Sequence, residues 1–195
     1  MVTDANQTPS EEPDLPLRYN RAQERFLGLL NLHPRSDAQA QPLEYILLTP
    51  QAQHLLLASL SCPGSVRSGP LFGTRTHGEA KITYAAPGIS LALTPEVQDS
   101  AFALDERYVL GWIDSLTASG PQGVDWLGHW LIAPDNLLGG LDSHLNWLRA
   151  GQHTGLIDED HFLLLLGRLD ERVVHVAYLT HGNRAELLSV EVLRD

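Results

Sequence analysis

The chain has 195 residues, 43% of them apolar and 19% charged, which suffices for one domain with a well-filled core and is short for two full ones. No uninterrupted apolar run approaches the roughly twenty residues that a membrane-spanning helix needs. The formal net charge of −11, with only 13 scattered basic residues, opposes nucleic-acid binding. Lys81 is the only lysine and carries no functional message. The single cysteine, Cys62, excludes an intramolecular disulfide and reads as a small packing residue rather than a nucleophile. The first residues are rich in Asp, Glu, Pro and Thr and lack both a basic start and an apolar stretch, so they do not read as a secretory signal. Together these features predict a cytoplasmic protein with no membrane segment.

Residues 1–17 have the composition of a disordered acidic tail. Arg18 to Leu32 place Phe26, Leu27, Leu29 and Leu30 in a charged helical pattern, so residues 18–43 read as an N-terminal helix and linker. The domain proper is then 44–195. A strand over Glu44 to Leu48 leads to Thr49-Pro50, a helix cap followed by proline at the first helical position, and a helix continues to Leu60. Gly69 to Gly73 and Glu79 to Ala85, separated by Thr74 to Gly78, predict a hairpin. The cap signal recurs at Thr94-Pro95 and opens a long helix, Glu96 to Leu116, with a break near Leu104-Asp105. Val124 to Ala133 is a strand and Asp142 to Ala150 a helix. The runs Phe162 to Leu166, Arg172 to Leu179 and Ala185 to Leu193 predict an antiparallel meander.

One segment carries more specific information. Trp126-Leu-Gly-His-Trp-Leu-Ile-Ala-Pro134 resembles the Tyr-Leu-Gly-Glu-Trp-His-Thr-His-Pro strand of the bacterial JAB/MPN (JAMM) metallopeptidases. Gly69-Pro-Leu-Phe-Gly73 looks like that family's Gly-Leu-Leu-x-Gly strand, and Tyr108-x-x-Gly-Trp-Ile-Asp114 stands where bacterial members have a tyrosine-bearing helix. The resemblance implies an α/β fold, JAB/MPN-like and hence cytidine-deaminase-like, with a mixed curved sheet flanked by helices. It also implies that the family's site is degenerate. The two zinc-binding histidines correspond to Leu131 and Ala133, the general-base glutamate to Val66, and the oxyanion serine and third ligand to Gly139 and Asp142, or to Leu141 and His144 under strict spacing. Carbon side chains offer zinc no lone pair, and valine accepts no proton, so the family's mechanism has no residues to run on.

Alternative chemistries are weaker. Strand alternation turns His129, Leu131 and Ala133 the same way, so a relocated metal site could combine His129 with Asp135, Asp142 and His144. A histidine flanked by tryptophans is more commonly a structural, hydrogen-bonded residue. His153, Asp158, Glu159, Asp160 and His161 are spaced as a solvated turn. Trp112, Trp126, Trp130 and Trp147 could mark a binding cleft or, more simply, fill the core. No nucleophile elbow or phosphate-binding loop is present.

The resulting expectation is an inactive JAB/MPN-like domain, of bacterial type, that needs no cofactor or metal and serves as a protein-binding or scaffold module. Its partner would be a protein or protein tail, ubiquitin-like among the candidates, or a second subunit in a homo- or hetero-oligomer. An extended apolar segment lying over Val66, Leu131 and Ala133 would be the bound species if that cleft is open; the simpler alternative is that these three side chains pack against the adjoining helix and close it. The alternative is an isopeptidase-like metallohydrolase with its metal rearranged around His129.

Overall fold

The computed structural model describes residues 41–61, 66–88, 101–102, 104–119, 123–182 and 184–194. The expected tail over 1–17, the expected helix over 18–32 and Cys62 lie outside these residues, as do 96–100 and 103 of the helix expected from Glu96; of the rest of its first half, 101–102 form a turn and 104–105 are not helical. Along the chain the elements are β1 (Tyr45–Leu48), α1 (Pro50–Leu60), β2 (Arg67–Thr76), β3 (Glu79–Ala85), α2 (Glu106–Ser119), β4 (Asp125–Ile132), α3 (Leu141–His153), β5 (Phe162–Leu169), β6 (Arg172–His181) and β7 (Arg184–Val192).

Local chemistry explains the element boundaries. The Thr49 hydroxyl accepts from the Ala52 amide at 3.3 Å and Pro50 opens α1. His77 and Gly78, with φ of 48° and 81°, form the tight β2–β3 turn, two residues long rather than the five expected. Asp105 Oδ1 accepts from the amides of Arg107 and Tyr108, so α2 begins at Glu106, close to the anticipated break. The meander is present as β5, β6 and β7, paired antiparallel in sequence.

The architecture corrects the expected fold class. The seven strands form a closed barrel in the order β1-β3-β2-β4-β5-β6-β7, and β7 returns to pair with β1. This replaces the mixed curved sheet flanked by helices. Three contacts are parallel: β1 with β3, β1 with β7, and β4 with β5, the last bridged by α3 as a crossover. Closure leaves no strand edge in the barrel unpaired.

Two irregularities bend the wall. Against β4 the register of β2 shifts between Leu71 and Phe72, and against β3 it shifts between Phe72 and Gly73. Each inserts an extra residue on the partner strand, which sharpens twist and helps a sheet curl. The shift also changes which side chains face inward on β4. Leu127, Trp130 and Ile132 belong to the interior cluster, whereas Trp126 and Leu131 belong to the outer one. Gly128 sits at this point against β5, and a Cβ there would lie 2.3 Å from the Phe162 carbonyl oxygen, so no larger residue fits without displacing backbone.

The interior is filled by Ile46, Leu48, Leu71, Ile82, Trp130, Phe162 and their neighbours, joined by Ala52, Leu56 and Leu60 from one face of α1. A second cluster lies outside the barrel, where Val109, Ile113 and Leu116 of α2 and Leu148 of α3 cover Leu131, Leu163, Leu165 and Tyr178. The helices therefore shield one side of the barrel wall. On β7 the interior takes Leu188, Val190 and Val192, while Leu187 points outward and is 65% exposed.

Candidate functional site

The residues expected to form the degenerate metallopeptidase site do not line an open floor. Leu131 is 1% exposed and packed in the outer cluster, and Val66 packs against the same cluster. Ala133 is half-buried just beyond the end of β4, and its carbonyl accepts from the Arg67 guanidinium at 2.7 Å. The same guanidinium reaches Ser59 and Asn136, bracing the end of α1 to the turn after β4. Gly139 has a positive φ of 76° and is exposed, as is Asp142 in the first turn of α3.

The four residues of the relocated metal arrangement are differently placed. Asp135 is exposed and its carboxylate accepts from the Leu137 amide at 3.0 Å. His144 is buried with both ring nitrogens engaged, Nδ1 with the Tyr178 hydroxyl at 2.9 Å and Nε2 with the Leu138 carbonyl at 2.7 Å. A carbonyl can only accept, so Nε2 carries the proton and the tyrosine hydroxyl donates to Nδ1. Burial raises the Tyr178 pKa, which keeps that proton in place. His129 faces the outer cluster beneath Phe102, with ring centroids 5.3 Å apart, and is 0% exposed. Neither of its ring nitrogens has a hydrogen-bond partner, and burial holds its pKa down at about 3. Among the described residues no group of three or more histidine, cysteine or carboxylate side chains is arranged to hold a metal ion.

The turn before β5 departs from its solvated expectation. His161 is buried, donates through Nδ1 to the Asp158 carboxylate at 2.8 Å, and packs at a tilt against Trp126 with centroids 4.7 Å apart. Asp158 also accepts from the amides of Asp160 and His161, so it organises the turn. Asp160 meets Arg75. The tryptophans follow the packing alternative. Trp126 and Trp130 are buried and donate to the Gly128 and Ala86 carbonyls at 2.7 and 2.9 Å. Trp112 and Trp147 pack against the outer cluster.

A different place is open. Between α3 and the outer face of β6 and β7 runs a cleft of about 510 Å³, within the range of small ligand sites. Its helical wall presents Leu141, Leu145, Leu148, Arg149 and Gln152, which recur at the three- and four-residue spacing of one helix face. Its floor comes from Tyr178 and Thr180 on β6 and Ala185 and Leu187 on β7, cross-strand partners in register. Gln152 Nε2 donates to the Gly182 carbonyl at 3.1 Å and ties the helix to the hairpin turn at one end. Leu141 is 61% exposed. Arg149 and Arg184 stand in the lining, and among the described residues no carboxylate pairs with either; Arg149 has only a long contact, 3.4 Å, to Asn146.

Sequence reasoning passed over this cleft. A signal existed in Leu187-Leu188, because alternation along a strand must turn one of two adjacent leucines away from the interior. The width of the α3 stripe, with Leu141 and Leu145 beside Leu148, was the other.

Fold and cleft together define a class: a closed mixed barrel, covered by helices on one wall and carrying an apolar cleft where the cover stops. No family model and no curated protein matches the chain. Among solved structures it is similar to the solution structure of protein DSY2949 from Desulfitobacterium hafniense, a structural-genomics target, with a TM-score of 0.56 and 16% identity over 77% of this chain and 94% of that one. Likeness at that identity concerns the fold alone. The barrel and these comparisons overturn the JAB/MPN resemblance, and with it the metallopeptidase family as the source of this domain.

Proposed function

We propose that this protein is a non-enzymatic binding or scaffold module whose recognition surface is the cleft between α3 and the β6–β7 hairpin. The observation that carries this reading is an apolar cleft in which Leu141 and Leu187 are largely exposed beside two arginines that no carboxylate of the described residues pairs. Singly exposed leucines are ordinary, but apolar side chains converging from two elements on one concavity suit a ligand better than solvent. The bound species is an apolar segment of a partner protein, and the module works in the cytoplasm, as the cysteine usage suggests. No helix of the described residues is long and apolar enough to cross a membrane.

The test uses a small probe with the cleft's own chemistry, 8-anilinonaphthalene-1-sulfonate, whose aromatic body suits the leucines and whose sulfonate suits the arginines. Saturable binding by the native protein, lost in Leu187→Asp and Leu145→Asp with the thermal melt retained, is the expected result. Absence of binding, or binding unchanged in both variants, would remove the cleft as a recognition surface.

A further inference from the structure

The geometry points to the kind of segment the cleft receives: we infer an amphipathic helix from a partner protein, with an apolar stripe flanked by aspartates or glutamates. This rests on the proposed binding role and narrows it to one class of partner.

Barrel closure supplies the first reason. Every strand of the barrel has a neighbour on both sides, including β7, which lies between β6 and β1. An extended peptide laid over β6–β7 would find no free strand edge for its backbone amides and carbonyls. A helix satisfies those groups internally and needs only a side-chain surface. An extended segment is therefore the poorer fit to this cleft.

The shape of the cleft supplies the second. One wall is the α3 face running from Leu141 to Gln152, and the floor is the outward face of two antiparallel strands. That is the corner into which a second helix packs beside a first when both lie on one sheet, at an interaxial separation of about 8–10 Å. Leu141, Leu145 and Leu187 then meet the occupant's stripe, read at every third or fourth residue.

Charge supplies the third. The chain carries a formal net charge of −11, yet among the described residues the lining holds Arg149 and Arg184 and no aspartate or glutamate. Guanidinium groups at the margin of an apolar contact favour carboxylates beside the stripe and reject lysines there.

The experiment compares three synthetic helical peptides on the full chain: one with glutamates flanking a leucine stripe, one with the same stripe flanked by lysines, and one with the glutamates kept but a proline placed mid-helix. Binding is read by displacement of the anilinonaphthalene sulfonate and by NMR shifts at Leu145 and Leu187. The glutamate peptide is expected to bind roughly tenfold or more tighter than either other peptide, with the advantage shrinking as salt rises. Arg184→Glu should reverse the order of the two charged peptides. Equal affinity for the two charged peptides overturns the acidic partner, and an unaffected proline peptide overturns the helix. Tighter binding of a peptide spanning Arg18 to Leu32, which is basic and apolar, makes the occupant a segment of this chain and overturns the inference, as does concentration-dependent dimerisation lost in Leu187→Asp. If the dye binds and the peptides fail to discriminate, only the partner class falls. If the dye itself does not bind, the cleft falls with it.

Discussion

The outer wall of the barrel is finished in two different ways. Over β4 and β5 it is roofed by α2 and α3, and Leu131, Leu163 and Leu165 are shut away from water. Over β7 there is no roof among the described residues, and Leu187 lies open. A leucine has opposite meanings in these settings: under the helices it holds the fold, and beside them it is surface available for recognition. The covered wall also contains a mismatch. His144 satisfies both ring nitrogens, whereas His129, equally enclosed, satisfies neither. Burying a polar group without a partner disfavours the folded state, and the packing of its neighbours must offset that cost.

The sharpest way to break the comparison is to place the same charge on both walls. Leu131→Asp puts an unpaired carboxylate in the outer cluster and should cost about 3–5 kcal/mol or abolish folding, measured by urea denaturation. A variant that melts like the parent would show that the covered wall is open after all.

The histidine mismatch gives the next largest effect, and it depends on pH. Because the folded-state pKa of His129 is about 3, against an ordinary 6.5, the unfolded chain takes up a proton below pH 6.5 that the folded protein refuses until about pH 3. Stability from this residue is therefore intact above pH 6.5 and falls as the pH drops, by roughly 1.4 kcal/mol per pH unit in the interval between the two values. His129→Leu should flatten that slope between pH 6.5 and 4.5 and raise the melting temperature at pH 7. Parallel stability curves for parent and variant would contradict the enclosure of this ring.

His144→Phe tests the satisfied partner. It strands the Tyr178 hydroxyl and the Leu138 carbonyl, and thermal denaturation should show a loss of about 1–3 kcal/mol, the reverse in sign of the His129 substitution. Smallest in stability, and largest in binding, is Leu187→Asp. Its unfolding free energy should stay within about 0.5 kcal/mol of the parent, while titration with the anionic dye should show no saturable site.

Much of the local structure was legible because local chemistry writes it. Thr49-Pro50 and the repeated strand alternation placed α1 and the strands within a few residues of their observed positions, whereas the helix expected from Glu96 begins only at Glu106, where the Asp105 carboxylate caps it. Closure was not legible. It depends on Tyr45–Leu48 meeting Ser189–Val192, a pairing between the first and last strands of the described chain that no local pattern announces. The motif around Trp126 misled for a physical reason. Its tryptophans and glycine are each demanded by this barrel: the indoles donate to the Gly128 and Ala86 carbonyls, and Gly128 admits the Phe162 backbone. Residues that could signal a family thus serve packing. Leu131 and His129 were correctly placed on one face, but that face turned out to be roofed. Of the cleft residues, Leu141, Asp142's neighbour, entered only as a mismatched catalytic position, and Arg184 and Leu187 were not singled out.

The parallel seam between β1 and β7 also sets an order of events in synthesis. Among the described residues the side of β1 that β7 occupies has no other partner, and its strand pairing waits until Ser189–Val192 have left the ribosome. Contacts of such long sequence separation form slowly, and until the ring shuts the nascent chain carries exposed pairing groups on β1 and β6. Assembly of this barrel is consequently gated by its final strand, and a ribosome stalled before β7 would present the cell with an open, self-adhesive sheet.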